Sequence, residues 1–469
     1  MPNDKKFTKS FHESFGLHWV GKKYARALSV SPPLGHLAED EVFNRTYANK
    51  KAKNELIKGD NLEVLKLLLP KYRDKVKMIY IDPPYNTGNE AFLYSDRKYF
   101  DLQSLTTSQE FDLEQAQKIL KQLDNKENAH SAWLSFMFPR LFLAREFLQK
   151  EGVIFVSIDD RELAYLRILM DEIFGEENFV GVFKWNKTST PPSLSNKIRQ
   201  KYEYILCYEK EKSNQIFFGG TANGGDMPLL NEGNIIKELH FPPNSIHFKI
   251  TGYFPSGIYN NIELLTPLKI NRPGKYSKDV IMKGAFKWNQ DYLNKQIEKG
   301  TELIIKSEKF SIRYKKKGER IKKPDDIISK TQCGVGTNAD AKKELTELLG
   351  IKNIFDYPKP VSLLKYLINF TVRKNQEDII MDFFAGSGTT GEAVMQLNHE
   401  DSGNRRFILV QSGEKINPGT KAYHFIKEDL GKESPDIFDI TIERLIRAHK
   451  KLHGNEKFNF RKWEVDLKE

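Results

Sequence analysis

Apolar and polar positions along most of this chain fall into blocks whose period switches between 2 and 3.6. From Glu55, ELIKGDNLEVLKLLLPKY predicts a short strand, a turn at Gly59-Asp60-Asn61 and a helix with Leu62, Leu65, Leu68 and Leu69 on one face. VKMIYI (76–81) is short, apolar and bounded by charge and by turn residues, the pattern of a buried parallel strand. A polar, helix-rich insertion runs on to about Asn128. WLSFMFPRLFLAREFLQ then predicts a buried helix and EGVIFVSIDD a strand ending in acids. ELAYLRILMDEIFG predicts an amphipathic helix carrying Leu163, Leu166 and Leu169, and KYEYILCYEK (201–210) another strand. Strands alternating with helices indicate α/β organisation.

At about residue 211 the pattern breaks. Up to 345, Gly, Asn, Pro and Lys are frequent, strands are short, and basic residues interleave with aromatics, as in SIHFKITGYF, FKWNQDYL and KFSIRYKKKGERIKK. The α/β pattern resumes with SLLKYLINFTV, the strand DIIMDFF, a helix from Gly388 and the strand RRFILVQ. ITIERLIRAHKKL is an amphipathic basic helix. The expected divisions are an N-terminal arm 1–54, an α/β part 55–210, an inserted domain 211–345, a second α/β part 346–452 and a C-terminal tail 453–469.

Composition narrows the partners. Lys and Arg outnumber Asp and Glu by 74 to 63, a net charge of +11 that suits a polyanion, nucleic acid first. Cys207 and Cys333 stand far apart with no Cys-x-x-Cys, which argues against a disulfide framework or structural zinc and fits a reducing cytoplasm. No apolar run approaches the ~18 residues of a membrane span, and the polar start MPNDKKFTKS lacks signal-peptide character. The 10 histidines show no paired spacing and no metal is inferred; Asp159-Asp160 is better suited to capping the next helix.

Two motifs carry candidate chemistry. The strand 76–81 runs into Asp82-Pro83-Pro84-Tyr85, and in open α/β sheets ligands bind at the carboxyl ends of strands. The prolines fix φ and lack N–H groups, so Asp82 and Tyr85 sit on a stiff loop, with Asn86-Thr87-Gly88 as the turn. Alone, the motif reads equally as a strand followed by a turn. The second motif is DFFAGSGTTGEAV (382–394), in which Gly386, Gly388 and Gly391 satisfy Gly-x-Gly-x-x-Gly between a strand and a helix. Such glycines let a ligand approach backbone N–H groups at a helix N-terminus. The Gly-Lys-Ser/Thr of a P-loop is missing, which disfavours nucleoside triphosphate hydrolysis. Gln411 stands where a nucleotide-linked ribose would meet an acid, about 20 residues on, which argues against a nicotinamide-dependent enzyme.

Together, Asp82-Pro83-Pro84-Tyr85 and Phe384-Ala385-Gly386-Ser387-Gly388 resemble the paired signature of S-adenosylmethionine-dependent DNA amino methyltransferases. Catalytic loop first, cofactor loop last and an insertion between is the permuted β-class order. GDNLEVLKLL, VKMIYIDPPYNTG, GVIFVSIDD, DEIFGEENFV, YEYIL, DYPKPVSLL and RRFILVQ resemble the modification (Mod) subunits of type III restriction–modification systems, over nearly all of 55–210 and 335–450.

The resemblance implies a Rossmann-like methyltransferase fold: a mostly parallel seven-stranded sheet, circularly permuted, with 211–345 as a target-recognition domain. It implies that Asp82, Pro83, Pro84 and Tyr85 hold a flipped base. The cofactor S-adenosyl-L-methionine would lie along Ala385, Gly386, Gly388 and Thr389, with Asp382 at its amino group, Phe384 covering it, Lys359-Pro360 packing from the other side, and Asp60, Asn61 and Gln411 toward its adenosine. Core packing stays open for Phe384 and Pro360, as does an N-cap role for Asp60. In YKKKGERIKK, residues Lys315, Lys316, Lys317, Arg320, Lys322 and Lys323 form either a solvated loop or a contact to the DNA backbone. The implied partners are duplex DNA, a second copy of the chain and a restriction (Res) subunit, in the cytoplasm. The implied reaction is N6-methylation of adenine. N4-methylation of cytosine uses the same geometry, but Asp82 favours adenine, because the cytosine enzymes more often carry Ser there. A catalytically silent DNA-binding module of the same fold stays open and predicts DNA binding without methyl transfer.

Overall fold

The structure, a computed structural model, describes residues 16–48, 51–87, 129–190, 197–222, 225–318, 320–372, 374, 376–454 and 457–467. The polar insertion expected before Asn128, from Gly88 on, lies outside the described residues. The chain divides into two compact units: one built from residues up to Phe217 and from Pro324 on, the other Phe218–Lys323.

The larger unit is organised by one sheet with ten strands among the described residues. In chain order these are β1 (Gly35–Glu39), β2 (Asn54–Lys58), β3 (Val76–Ile81), β4 (Leu148–Ile158), β5 (Phe179–Asn186), β6 (Tyr202–Glu209), β7 (Ile327–Ile328), β8 (Ile379–Asp382), β9 (Arg406–Gln411) and β10 (Phe460–Leu467). Across the sheet they run β1-β10-β2-β9-β8-β3-β4-β6-β5-β7. The block from β10 to β4 is parallel throughout, whereas β6 runs antiparallel to both its neighbours. The seven strands from β2 to β5 form the expected mostly parallel sheet, and β1, β10 and β7 extend it.

Helices cover both faces, and the strands show why. Along β3, Ile79 and Ile81 belong to one apolar core and Met78 and Tyr80 to the other. In β9, Ile408 and Val410 alternate likewise with Phe407 and Leu409. A strand buried on both sides reads as a continuous apolar run, as VKMIYI does. Helices α1 (Lys22–Val30), α2 (Asn61–Tyr72), α3 (Ala129–Phe147) and α4 (Leu163–Phe174) pack on one face. Helices α5 (Val361–Thr371), α6 (Thr389–Asp401) and α7 (Ile437–His453) pack on the other.

Three expectations about extent change. Residues 453–469 are not a plain tail, because β10 inserts between β1 and β2 and seats Phe460 in the core beside Phe458. The N-terminal arm likewise supplies α1 and the edge strand β1. The inserted unit is narrower than 211–345: Phe217, Ile328 and Val335 are buried in the core of the larger unit. The inserted unit has its own core, including Phe241, Phe248, Phe286 and Phe310, within short-stranded sheets and a helix at Gln290–Glu298.

Candidate active site

The two motifs meet at the middle of the sheet. β8 pairs with β3 in parallel, Met381 opposite Ile79, so Asp382 and Asp82 leave neighbouring strand ends side by side. From β8 the chain turns through α6 to β9 on one face; from β3 it turns through α3 to β4 on the other. Connections diverging in this way open a crevice at the carboxyl ends, the usual ligand position in α/β sheets.

Asp82 lies in a net of short hydrogen bonds. The Lys359 Nζ donates to Asp82 Oδ1 at 2.9 Å and Oδ2 at 2.7 Å, and to the Tyr85 hydroxyl at 3.0 Å. The Tyr85 hydroxyl donates to Asp82 Oδ1 at 2.6 Å. Lys359 also pairs with Glu203 Oε2 at 3.3 Å, and Glu203 Oε1 receives Lys187 Nζ at 3.2 Å. Burial works against the Lys359 charge, but Asp82 and Glu203 more than offset it and hold its pKa above the ordinary lysine value. Burial likewise disfavours the charge on Glu203, yet the two lysines carry its pKa below the usual glutamate value. Burial, with Asp82 and Glu203 adding to it, pushes the Tyr85 phenol well up, so it stays a hydroxyl donor.

The loop is pinned from behind. The Trp133 Nε1 of α3 donates to the Pro84 carbonyl at 2.7 Å, whereas the Pro83 carbonyl accepts from none of the described residues. Asn86 takes a left-handed φ of 59° to reverse the chain, and its Nδ2 donates to the fully buried Glu162 at 2.6 Å. Arg161 donates to the Asn86 carbonyl. Asp159, a capping candidate, accepts the Arg161 backbone N–H at 2.9 Å.

The glycine loop divides its labour. Gly386 and Gly388 have φ of 53° and 83°, left-handed values that favour glycine. Gly391 has a different reason: a Cβ there would stand 2.6 Å from Leu445 and 2.8 Å from Leu409. Asp382 is buried, accepting the Phe384 backbone N–H at 3.0 Å and the Thr390 hydroxyl at 2.5 Å. Among the described residues no cation pairs with it, and burial raises its pKa to about 7, against those two hydrogen bonds.

Other expected residues gather round the same loop in particular roles. Gln411 Oε1 accepts the Gly386 N–H at 2.8 Å, bracing the loop. Asn61 donates to the Phe383 carbonyl at 2.9 Å, and Asp60 caps α2 through the Glu63 N–H. Phe384 is half-buried and packs on Phe136, with ring centroids 5.9 Å apart. Ala385 is buried, and Pro360 occupies the N-cap position of α5. Thr389 is turned inward: its hydroxyl accepts from the buried Arg444 of α7 at 2.6 Å. Arg444 also bonds Ser387 and Glu392. Lys359, expected at the cofactor, places its ammonium on Asp82. Lys315, Lys316, Lys317, Lys322 and Lys323 belong to the inserted unit and are exposed. Lys316 lies over the Tyr292 ring, 5.7 Å from its centroid. Arg320 falls in a short strand, with its side chain outside the described set.

Sequence reasoning missed Glu203, Trp133, Glu162, Arg140 and Arg444. Each acts through tertiary contacts and belongs to no local motif; Arg140, for example, donates to Asn61 at 2.5 Å from α3. The one available signal was charge inside otherwise apolar segments, as in LSFMFPRLFLA and KYEYILC.

A family model described as DNA methylase matches residues 76–422. The chain is 37% identical over 464 residues to the type III restriction–modification enzyme EcoPI Mod subunit of Escherichia phage P1, covering 94% of this chain and 69% of that one. It is 35% identical over 472 residues to the EcoP15I Mod subunit of Escherichia coli, covering 94% and 70%. Among solved structures, a crystal structure of an M1.HpyAVI–SAM complex aligns at a TM-score of 0.34 and 15% identity, over 83% of this chain and 98% of that one.

Proposed function

This chain belongs to the DNA methylase family that includes type III Mod subunits, and on that premise we propose that it methylates N6 of adenine at a specific duplex site, using S-adenosyl-L-methionine. The observation that carries the proposal is the abutment of two strand ends, one presenting Asp82 and Tyr85 and the other a buried carboxylate with a glycine turn.

The residues at the second strand end fit that cofactor. S-adenosylmethionine is cationic, and Asp382 is a buried carboxylate with no cation of its own among the described residues. Gly386 and Gly388 keep the backbone bare where the methionine part would lie, and Phe384 offers a ring beside them. When bound, the cofactor supplies an electrophilic methyl group on a sulfonium.

The chain's own residues do the rest. An adenine amino nitrogen is a poor nucleophile because its lone pair is delocalised into the ring. Asp82 and the Pro83 carbonyl each accept one of its N–H bonds, which turns the lone pair outward and stabilises the positive charge that develops. The same carboxylate is at hand for the proton the nitrogen sheds. Trp133 and Glu162 hold the loop so that these acceptors need no reorganisation. Because the amino group is out of reach inside a duplex, the base must be flipped into the site.

DNA would be engaged in part through exposed lysines of the inserted unit, including Lys315–Lys317, whose charge supplies salt-dependent, sequence-independent affinity. A second copy of the chain and a Res subunit are the proposed protein partners, and the cytoplasm the proposed location. The test is expression in a methylation-free bacterial host, with genome sequencing by single-molecule kinetics beside Asp82→Ala. N6-methyladenine at one short motif, lost in the variant, is expected. N4-methylcytosine would overturn the choice of base, and a chain that binds no S-adenosylmethionine would overturn the enzyme assignment.

A further inference from the structure

The acceptors assigned to the adenine amino group already hold a donor. Lys359 Nζ reaches both Asp82 oxygens and the Tyr85 hydroxyl within 3.0 Å, and its side chain is only 7% exposed. Oδ1 accepts from both Lys359 and Tyr85 and Oδ2 from Lys359, so an amino group reaching Asp82 competes with the ammonium for the carboxylate. Shifting Lys359 off Asp82 relieves that competition.

A second station stands within reach. Glu203, on β6, already contacts Lys359 at 3.3 Å and is itself anchored by Lys187 at 3.2 Å. It is nearly as buried as Lys359, so the ammonium would pass from one carboxylate to another without crossing water. The rings of Tyr85 and Trp185 flank the lysine, with centroids 5.2 and 5.7 Å from Nζ. Among the described residues, Tyr80, Asp159 and Asp382 also feel the charges of this cluster.

We propose that Lys359 is the resident occupant of the amino-group pocket and that Glu203 is a positioning residue that takes over Lys359 when the target base enters. The inference rests on the methyltransferase assignment above. It gives the pocket selectivity for a group that can donate to Asp82 in place of Lys359 and to the Pro83 carbonyl as well: an exocyclic amine with two N–H donors qualifies, whereas a carbonyl oxygen, having none, leaves Lys359 in place.

The test uses the full chain, S-adenosylmethionine and a duplex with 2-aminopurine next to the target adenine, whose fluorescence rises when the neighbouring base leaves the stack. Glu203→Gln removes the receiving charge. It is expected to lower the flipping signal and kcat roughly tenfold, with the cofactor Kd and duplex Kd unchanged and with partial recovery in Glu203→Asp. In a Lys359→Gln background the Glu203→Gln change is expected to add less than about twofold, because the two act through one contact. Wild-type kcat and flipping in Glu203→Gln overturn the takeover; so do additive effects in the double variant, or a loss of cofactor binding in step with activity. A wild-type chain that transfers no methyl group fails at the earlier assignment instead, so the two failures are distinguishable.

Discussion

At the scale of single residues, the two carboxylates at neighbouring strand ends have opposite surroundings. Asp82 is wrapped by Lys359, while Asp382 is buried among neutral donors and pushed up to about 7. A raised carboxylate pKa means that the folded protein holds a proton the unfolded chain releases. The contribution of Asp382 to stability therefore falls as pH climbs from about 4 to 7 and is flat above. A cationic cofactor prefers the ionised form, so its affinity should rise with pH through the same window, by about tenfold per unit on the acid side. Calorimetric titration between about pH 5.5 and 8.5 checks this; Asp382→Asn should bind more weakly at about pH 8 and show a flat profile. For Asp82→Ala we expect kcat to drop about 10²–10³-fold, the range for removing one preorganised electrostatic group. Its cofactor Kd should stay within about twofold, so that binding and single-turnover methyl transfer separate the two roles.

At the scale of elements, the third glycine of the loop is a packing device. Ala at position 391 would gain up to about 1 kcal/mol in helix propensity. Its Cβ, however, would press on Leu445 of α7 and Leu409 of β9, and overpacking of this kind costs about 1–3 kcal/mol. The clash should win, and Gly391→Ala should unfold at lower denaturant, with an unchanged m-value in urea titrations. This scale also separates what could be read from the chain from what could not. β3 and β8 were legible because burial on both faces makes each a mostly apolar run, interrupted in β3 only by Lys77. β5 was not: only Phe183 and Trp185 of FVGVFKWN are buried, so neither a run nor a clean alternation shows. β10 mixes charge with aromatics, FRKWEVDL, and looks solvated until its partners β1 and β2 are known. In the site, Asp82 and Asp382 were legible from contiguous motifs. Lys359 was found, but its position on Asp82 was not, since that contact closes across 277 residues. Arg444 sits in what reads as an ordinary basic helix.

At the scale of the whole molecule, the inserted unit has its own core and carries exposed lysines on the Lys315–Lys317 stretch. Replacing these three by Ala should weaken binding to all duplexes alike and flatten the dependence of log Kd on log salt, by about 0.9 for each phosphate no longer neutralised. Target choice should persist, because backbone contacts carry no sequence information directly. Filter binding at several salt concentrations, with cognate and scrambled duplexes, checks both statements. A change in motif rather than in slope would move these lysines from backbone contact to base reading.

The pairing of β3 with β8 also bears on how a cell makes this protein. A ribosome delivers β3 and the Asp82 loop well before β8, with the entire inserted unit emerging between them. Until β8 arrives, one edge of a strand that is wholly buried in the finished fold is bare, the kind of edge that pairs with other chains. Pairings so distant along the chain are slow to form, so the nascent chain has a long interval in which a chaperone is useful. The same order has a protective side. A polypeptide released early carries Asp82 but neither Asp382 nor the glycine turn, so incomplete translation yields a product unable to mark DNA.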